Sequence, residues 1–339
     1  MSGLLGALPV VVVLLGVVAL LVYAAGRIGP RFLLKRLAGL VFVMFGVTFI
    51  TFILGYVSPG SPVNNLCGSK CTAKSLQQLY HLYGLDLPWY QQYARFLNNL
   101  LHLDLGLSFT QRGRTVWSIL GSGVPISMEI GLLALALAVL IGVPIGISAA
   151  ARAGSRYDTI SMTSALVLFS IPTYVTIPIY QIAMVQLAAH NLPHLPTAGW
   201  GDPINFIPPV LVLCAVTLGF YARLMRTTML DTLTQDYVRT ARAKGLRERV
   251  VVVRHAFRNA LVPLVTALGP AIAFSVSGAF FTETLLNIPG IGFQAINSIN
   301  AKDMPVVQGT VILVAVAVAV MNLVVDVVYG LLDPRIKVS

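Results

Sequence analysis

The sequence predicts an all-α polytopic membrane protein, and three observations carry this prediction. Hydrophobic residues make up 57% of the 339-residue chain, and its mean hydropathy is +0.83. Charged residues make up only 10%, against roughly 25% in a soluble domain. Several apolar stretches reach the length of about 20 residues that a helix needs to cross a bilayer. The composition disfavours a soluble enzyme, and the hydrophobicity excludes intrinsic disorder.

Seven apolar stretches are long enough to form membrane helices. All but the last lack a charged residue, and that one contains Asp326. In chain order they cover residues 8–25, 37–57, 130–150, 159–187, 204–222, 260–282 and 306–332. They are apolar around most of their circumference, as expected for helices surrounded by lipid. A membrane β-barrel would instead show alternating segments of about ten residues.

The first stretch predicts an additional N-terminal transmembrane helix within residues 1–28. A signal peptide is one alternative, and a natural start further along the chain is another. Signal peptides begin with a positively charged region, whereas Met1, Ser2 and Gly3 include no basic side chain. We therefore favour a membrane helix whose N-terminus is extracytoplasmic.

The basic residues predict the orientation of the chain. Most of the 23 Lys and Arg residues lie on one side, including the run from Arg223 to Arg258 and the tail residues Arg335 and Lys337. Cytoplasmic loops carry the excess of Lys and Arg, so this side and the C-terminus are predicted to be cytoplasmic. Membrane topology thus accounts for the formal net charge of +11, and no nucleic-acid partner is expected.

The predicted extracytoplasmic segment, residues 58–129, is long enough to hold helices of its own. One helix is expected to end at Gly84, and a second to open at Pro88 with an apolar stripe of Tyr93, Phe96, Leu97 and Leu100. The segment either meets an external partner or packs over the outer ends of the membrane helices. Cys67 and Cys71 lie within it, either as a disulfide on the oxidising side or as two free thiols.

The cytoplasmic segment 227–259 predicts a short helix of about three turns. Thr234 is expected to be its N-cap, with Asp236 in the first turn where a negative charge complements the helix dipole. Lys244 lies in the last turn, and Gly245 is expected to end the helix as its C′ residue. A second helix is predicted to follow, with an apolar face made of Leu246, Val250, Val253 and Phe257.

Two interpretations of this segment remain open. Ala241 and Ala243 are small, so another protein surface could approach the backbone of the first helix closely. Alternatively, the basic helix pair only anchors the chain at the membrane boundary, with Arg247, Arg254 and Arg258 facing the headgroups.

The sequence lacks motifs for catalysis or nucleotide binding. It contains no G-x-x-x-x-G-K-[ST], H-E-x-x-H or G-x-S-x-G. His190 and His194 could share a helix face, but the neighbouring prolines predict a loop, so no metal site is expected there. Glu129, Glu283 and Asp326 lie near helix ends, where pairing or snorkelling is expected rather than a proton relay.

Several ordered blocks resemble one family of membrane proteins. The segment Asp236-Tyr-Val-Arg-Thr-Ala-Arg-Ala-Lys-Gly-Leu246, followed by Arg254-His-Ala-Phe-Arg-Asn-Ala-Leu-Val-Pro263, is similar to the "EAA" loop of ABC-importer permeases. The likeness is to the B-type subunit of the dipeptide/oligopeptide/nickel branch and covers roughly residues 29–339. Further matching blocks are Arg31 to Leu37, Ser58 to Pro62, Asp104 to Phe109, Ser170 to Pro172, Glu283-Thr284, Pro289 to Gly292 and Asp333 to Arg335. The Glu-Ala-Ala of the general pattern corresponds here to Arg239-Thr240-Ala241.

The resemblance implies a six-helix ABC type I importer permease in a bacterial plasma membrane, with no cofactor of its own. Its implied partners are a second permease subunit, two ATP-binding subunits and an extracytoplasmic solute-binding protein. The implied ATPase-coupling surface consists of Asp236, Tyr237, Arg239, Ala241, Arg242, Ala243, Lys244, Gly245 and Leu246. Candidate pathway residues, each equally an interhelical hydrogen-bonding group, are Ser164, Ser170, Thr173, Ser275, Ser277 and Asn322.

The expected function is uptake of di- or oligopeptides, driven by ATP that partner subunits hydrolyse. Nickel, glutathione or another small solute is an alternative within the same branch. A secondary transporter or channel is an alternative outside it, and that class predicts charges near the membrane midplane and broken helices in paired repeats. A membrane-anchored enzyme would need a catalytic cluster that the sequence does not offer.

Overall fold

The computed structural model describes residues 30–57, 72–82, 84–111, 113–277 and 279–332. Regular structure in these ranges is helical, apart from one antiparallel bridge between Leu107 and Thr115. Five helices are long and apolar enough to cross a membrane, and a bent helix pair makes a sixth candidate. The predicted all-α polytopic fold is confirmed for this part of the chain. The predicted first helix, the candidate cysteines Cys67 and Cys71 and the C-terminal tail lie outside the described residues.

The first half of the described chain contains six α-helices. They are α1 (Pro30–Val57), α2 (Ala73–Leu82), α3 (Trp89–Leu101), α4 (Val116–Ala151), α5 (Arg156–Ser170) and α6 (Thr173–Ala189). Helix α4 begins well before the predicted span at residue 130, because Thr115 caps it and its side chain accepts a hydrogen bond from the Ser118 N–H at 3.2 Å. The long connecting segment therefore ends at residue 115 rather than 129.

The second half runs from a 3₁₀ turn (Pro203–Phe206) into α7 (Ile207–Leu233) and the short α8 (Asp236–Ala243). One α-helical turn, α9 (Glu248–Val250), then leads into a π-helix (Val251–Ala256) that continues directly into α10 (Phe257–Ser277). The remaining helices are α11 (Phe280–Leu285), α12 (Ile291–Asn300) and α13 (Met304–Leu332).

The predicted span 159–187 is not one straight helix. Helices α5 and α6 meet at a bend of 96°. Pro172 has no N–H and restricts the residue before it, and Ile171 is extended at φ −83° and ψ 116°. The helix therefore breaks at this point and restarts at Thr173.

Helix α7 packs closely on α4 because α4 presents glycines to it. A Cβ atom on Gly142 would lie 3.0 Å from the Leu218 carbonyl oxygen, and one on Gly146 would meet the Ala222 carbonyl oxygen. The core beside these contacts is formed by Leu135, Val143, Tyr221, Met225, Met229 and Leu264. Helix α7 is thus held at the centre of the described bundle.

Helix α3 confirms the apolar stripe that the sequence predicts. Tyr93 is buried, and its hydroxyl lies 3.2 Å from the Thr48 hydroxyl of α1. Its ring contacts Phe45, Phe49 and Phe52 of α1 at centroid distances of 5.2 to 6.0 Å. The helix therefore packs across α1, which supports the packing interpretation of this segment.

A buried carboxylate connects the loop between α3 and α4 to the start of the last helix. Asp303 immediately precedes α13 and is fully buried. It accepts hydrogen bonds from the Phe109 N–H at 3.0 Å, from the Thr110 N–H at 3.2 Å and hydroxyl at 2.6 Å, and from the Ser108 hydroxyl. This carboxylate was not singled out by the sequence, because its partners lie about 195 residues earlier.

Candidate functional site

The short helix α8 has eight residues, which is about two turns rather than the predicted three. The prediction that Thr234 caps it is wrong. Thr234 ends α7 instead, and its hydroxyl donates to the Asp231 carbonyl oxygen at 2.9 Å. The residue before α8 is Gln235, so only Thr234 and Gln235 separate the two helices. The connection between α7 and α8 is therefore very short.

The predicted stop at Gly245 is confirmed. Gly245 has φ +73°, in the left-handed region that glycine adopts without strain. Its N–H donates to the Arg242 carbonyl oxygen at 2.9 Å, and the Lys244 N–H donates to the Thr240 carbonyl oxygen at 3.1 Å. These bonds satisfy the last carbonyls of the helix and turn the chain sharply.

One face of α8 is buried against its own chain. Val238 and Ala241 pack with Val251 of the π-helix and with Leu233. Ala241 is 5% exposed, so it packs against the protein's own core. It does not belong to the exposed contact surface on which the resemblance placed it. This corrects the expectation for one of the two alanines, since Ala243 is exposed.

The opposite face of α8 is polar and open. Eight of the nine residues that the resemblance implied are exposed on α8 or in the turn after it: Asp236, Tyr237, Arg239, Arg242, Ala243, Lys244, Gly245 and Leu246. This face begins with one acidic and one aromatic side chain, and basic side chains follow along its length.

Two side-chain contacts hold α8 in place. Arg242 donates to both Glu248 oxygens, at 2.7 and 3.2 Å, and so closes the turn around Gly245. The hydrogen bond to the Glu248 carboxylate raises the pKa of the Arg242 guanidinium above its usual value. The Asn259 side chain of α10 donates to the Tyr237 hydroxyl at 2.7 Å. The helix is thus connected to α7 through the backbone and to α10 through Tyr237.

The apolar face predicted for the following helix is not the buried one along its whole length. Phe257 packs against the core, but Leu246, Val250 and Val253 are exposed. The buried residues of this segment are Val251, Val252, Ala256 and Ala260. The π-helix at Val251–Ala256 takes more residues per turn than an α-helix, which shifts the side-chain register relative to the expected 3.6-residue period.

A buried ion pair ties α5 to α7 near α8. Arg226 donates to the two Asp158 oxygens at 2.6 and 2.7 Å, and the Gly154 N–H donates to Asp158 at 3.0 Å. The Asp158 side chain is 5% exposed and that of Arg226 is 29% exposed. The sequence shows only that Ser155 precedes Asp158 as a helix cap; nothing in it indicates the partner 68 residues away.

Glu283 is also buried, and among the residues that the structure describes it pairs with no cation. It accepts hydrogen bonds from the Ser127 hydroxyl at 2.7 Å and from the N–H groups of Ala279, Gly292 and Phe293 at 3.1, 2.7 and 3.2 Å. The expectation for this residue was therefore wrong, because backbone donors at the start of α12 take the place of a cation. Glu129 is exposed, and the side chain of Asp326 lies outside the described part.

The candidate pathway residues are spread over several helices. Ser164, Ser170 and Asn322 are exposed and Thr173 is half-buried. The Ser170 and Ser275 hydroxyls donate to carbonyl oxygens of their own helices, at Leu166 and Ala271, rather than across helices. Ser170 and Thr173 flank the break between α5 and α6, and the Ser277 side chain is not described. In the described ranges no group of three or more His, Cys, Asp or Glu side chains is arranged to hold a metal ion.

Comparison with known families matches almost all of the described chain. Residues 142–338 match the binding-protein-dependent transport system inner membrane component, and residues 30–130 match the N-terminal region of membrane components of such systems. The chain is 38% identical to the dipeptide transport system permease protein DppB of Bacillus subtilis, over 91% of this chain and 98% of that protein. It is 34% identical to the protein of the same name from Escherichia coli, over 91% and 98%.

Other relatives differ in the solute that they are named for. The glutathione transport system permease protein GsiC of Escherichia coli is 33% identical, over 91% of this chain and 99% of that protein. A chain from the crystal structure of an amino acid ABC transporter with histidines is 16% identical, with a TM-score of 0.48, over 65% of this chain and 94% of that one. The named solutes of the permease relatives are thus small peptides or a peptide-like thiol.

Proposed function

Since this chain belongs to the binding-protein-dependent transport system inner membrane components, we propose that it is the permease subunit of an importer for dipeptides and other short peptides. It is a multi-pass membrane component of an ATP-driven importer rather than a catalytic subunit. In the proposed complex it forms half of the pathway with a second permease subunit. Two separate ATP-binding subunits hydrolyse ATP, and an extracytoplasmic binding protein delivers the solute. The C-terminus is proposed to be cytoplasmic and the N-terminus extracytoplasmic.

One observation supports the proposed coupling to the ATPases above the others. Helix α8 is short, ends sharply at Gly245 and leaves its polar face open. Its apolar face packs against Val251. The helix is joined to α7 through the backbone and to α10 through a hydrogen bond. We propose that an ATPase subunit holds the open face. When the ATPases close on ATP, they would displace α8, and α7 and α10 would follow.

Two exposed alanines, one on α8 and one away from it, allow a test with a matched pair of positions. Ala243→Trp places a large ring on the open face and should abolish copurification of the ATPase subunits while leaving the membrane subunit folded. Ala153→Trp adds the same ring at an exposed alanine in the α4–α5 turn and should have no effect. If Ala243→Trp leaves both copurification and uptake unchanged, the proposed coupling surface is wrong.

The assignment of peptides as the solute is supported by the relatives named for dipeptide transport, which are 34 to 38% identical. Glutathione is the second candidate, because the permease named for it is 33% identical over nearly its whole length. Both solutes carry an α-carboxylate and peptide bonds, so a pathway suited to one has the chemistry to accept the other.

Uptake by the reconstituted importer distinguishes these functions. Proteoliposomes that contain both permeases and the ATPases, supplied with the binding protein, should accumulate labelled dipeptide only with ATP inside. Accumulation of glutathione or Ni²⁺ in place of dipeptide would reassign the solute. Uptake by this chain alone, or uptake driven by a proton or sodium gradient without ATP, would reject the importer function itself.

A further inference from the structure

Helix α7 carries a positive charge near its middle. The helix has 27 residues and is about 40 Å long, with Phe220 at its centre. Arg223 follows by three residues, but its side chain points back towards the N-terminal end. Its Nε donates to the Gly219 carbonyl oxygen at 3.3 Å, and its Cζ lies 4.5 Å from the centre of the Phe169 ring. Arg223 directly follows the apolar stretch 204–222 and begins the basic run that is predicted to be cytoplasmic, so its guanidinium, directed back to Gly219, lies about one turn inside that stretch.

This charge has no counter-ion among the described residues. Asp158 is the nearby carboxylate on the adjacent helix, and both of its oxygens are taken by Arg226, one turn further along α7. The ion pairs in the described ranges do not include Arg223, and its hydrogen bonds there come from Nε alone. Its Nη groups thus remain able to bind a ligand. A charged side chain at membrane depth is costly unless it faces protein or a water-filled cavity.

The surroundings of Arg223 include a break in the neighbouring helix pair. Phe169 precedes the break between α5 and α6, where the regular backbone hydrogen bonding stops at Ser170 and resumes at Thr173. Interrupted backbone at membrane depth occurs only where it is buried in protein or lines a cavity. Gly219 brings α5 and α7 together here, because a Cβ atom on it would meet the Ala165 carbonyl oxygen. The break and Arg223 therefore share one surface, and the broken backbone favours a position that faces protein or a cavity.

Aromatic rings complete this surface. The rings of Phe169 and Phe220 are 43% and 40% exposed, with centroids 6.4 Å apart. The guanidinium lies over the Phe169 ring, and its Nη groups make no hydrogen bond to the described residues. A planar guanidinium on an apolar surface suits a carboxylate that carries apolar groups, because two parallel N–H groups bind the two carboxylate oxygens.

We propose that Arg223 binds the α-carboxylate of the solute as it passes through the pathway between the two permease subunits. This inference rests on the proposed function, since it requires a solute with a carboxylate, as peptides have. Phe169 and Phe220 contact the apolar parts of the same solute. The site retains the peptide after the binding protein releases it, so that a cycle of ATP hydrolysis ends in transport rather than in loss of the peptide to the outside.

The test uses the complete importer in proteoliposomes, with two readouts for each variant. In Arg223→Gln, dipeptide uptake should fall about tenfold or more, the loss expected when a charge-assisted hydrogen bond is removed. ATP hydrolysis stimulated by the loaded binding protein should persist, so the ATP used per peptide rises by the same factor. Arg223→Lys keeps the charge and should retain most of the uptake. Arg152→Gln is the matched control, because Arg152 also lies over an aromatic ring, that of Tyr157 at 5.4 Å, but in the α4–α5 turn.

A second comparison tests the carboxylate. A dipeptide and its C-terminal amide are supplied at concentrations that load the binding protein to the same measured fraction. The wild-type importer should carry the amide about tenfold more slowly, whereas Arg223→Gln should carry both at one reduced rate. The inference is overturned if Arg223→Gln transports dipeptide normally, or if it slows the acid and the amide equally from their wild-type rates. It is also overturned if the variant loses assembly and ATP hydrolysis together with uptake, since Arg223 would then pair with the second permease. If the wild-type importer carries no peptide at all, the proposed function fails instead.

Discussion

The ion pair between Asp158 and Arg226 predicts an unequal response to two single substitutions. Removing one partner of a buried pair costs about 3–5 kcal/mol, because the remaining charge stays buried without compensation. In Asp158→Asn the remaining charge is Arg226, whose side chain is 29% exposed and can reach water, so the loss should be near 3 kcal/mol. In Arg226→Gln the remaining charge is the Asp158 carboxylate, which is 5% exposed, so the loss should be near 5 kcal/mol.

Unfolding in mixed micelles with increasing dodecyl sulfate measures these losses through the tryptophan fluorescence of the chain. The double variant Asp158→Asn/Arg226→Gln removes both charges and should be more stable than Arg226→Gln alone. Arg242→Gln is the control: it breaks the pair with Glu248, whose side chains are 42% and 60% exposed, and should cost less than about 1 kcal/mol. Equal losses in the two single variants, or losses that add in the double variant, would refute the reasoning.

Two further predictions concern contacts deeper in the bundle. Glu283→Gln places an amide donor against the backbone N–H groups that the carboxylate accepts, and should destabilise the protein by about 1–3 kcal/mol in the same assay, whereas the exposed Glu129→Gln should have little effect. Gly219→Ala forces a Cβ atom against the Ala165 carbonyl oxygen and should cost about 1–3 kcal/mol, whereas Gly121→Ala, with open space around it, should be neutral or slightly stabilising. Equal stability of either variant and its control would contradict the corresponding contact.

The membrane helices could be predicted because each is a local property of the sequence. Hydrophobicity over about 20 residues is enough to indicate a span, and the predicted stretches that fall on described residues are largely helical. It does not locate the breaks, since 159–187 is divided between α5 and α6 and 260–282 between α10 and α11. The stop at Gly245 was predictable for the same reason, since a left-handed residue at the end of a helix is a local demand that glycine meets. Hydrophobicity alone does not give the ends of the helices. Helix α4 begins after its cap at Thr115, well before its apolar stretch, because the residues between them are also helical.

Register and long-range pairing could not be predicted in this way. The π-helix at Val251–Ala256 shifts the buried face, and the hydrophobic residues on both sides of it fit an α-helical period equally well. Asp158, Glu283 and Asp303 each have a hydrogen-bond partner far away in the sequence, as much as 195 residues away for Asp303. A single sequence does not specify the relative positions of the elements that carry these partners. The local partners, such as the N–H group 4 residues before Glu283, add to these contacts. The sequence indicated the coupling segment, but it did not reveal that Ala241 faces inwards, because that depends on Val251 in the next helix.

The contacts around α8 indicate how a displacement would divide between its neighbours. Helix α7 is joined to α8 by two residues, to α4 through close glycine contacts and to α5 through the buried ion pair, so these helices resist relative movement. The connection from α8 to α10 runs through Gly245 and the π-helix, which interrupts the regular α-helical hydrogen bonding, and through the hydrogen bond between Asn259 and Tyr237. We therefore expect α4, α5 and α7 to move together with α8, while α10 follows less closely because the π-helix absorbs part of the change. Since Arg223 lies on α7, a motion of this kind moves the proposed carboxylate site with the coupling helix.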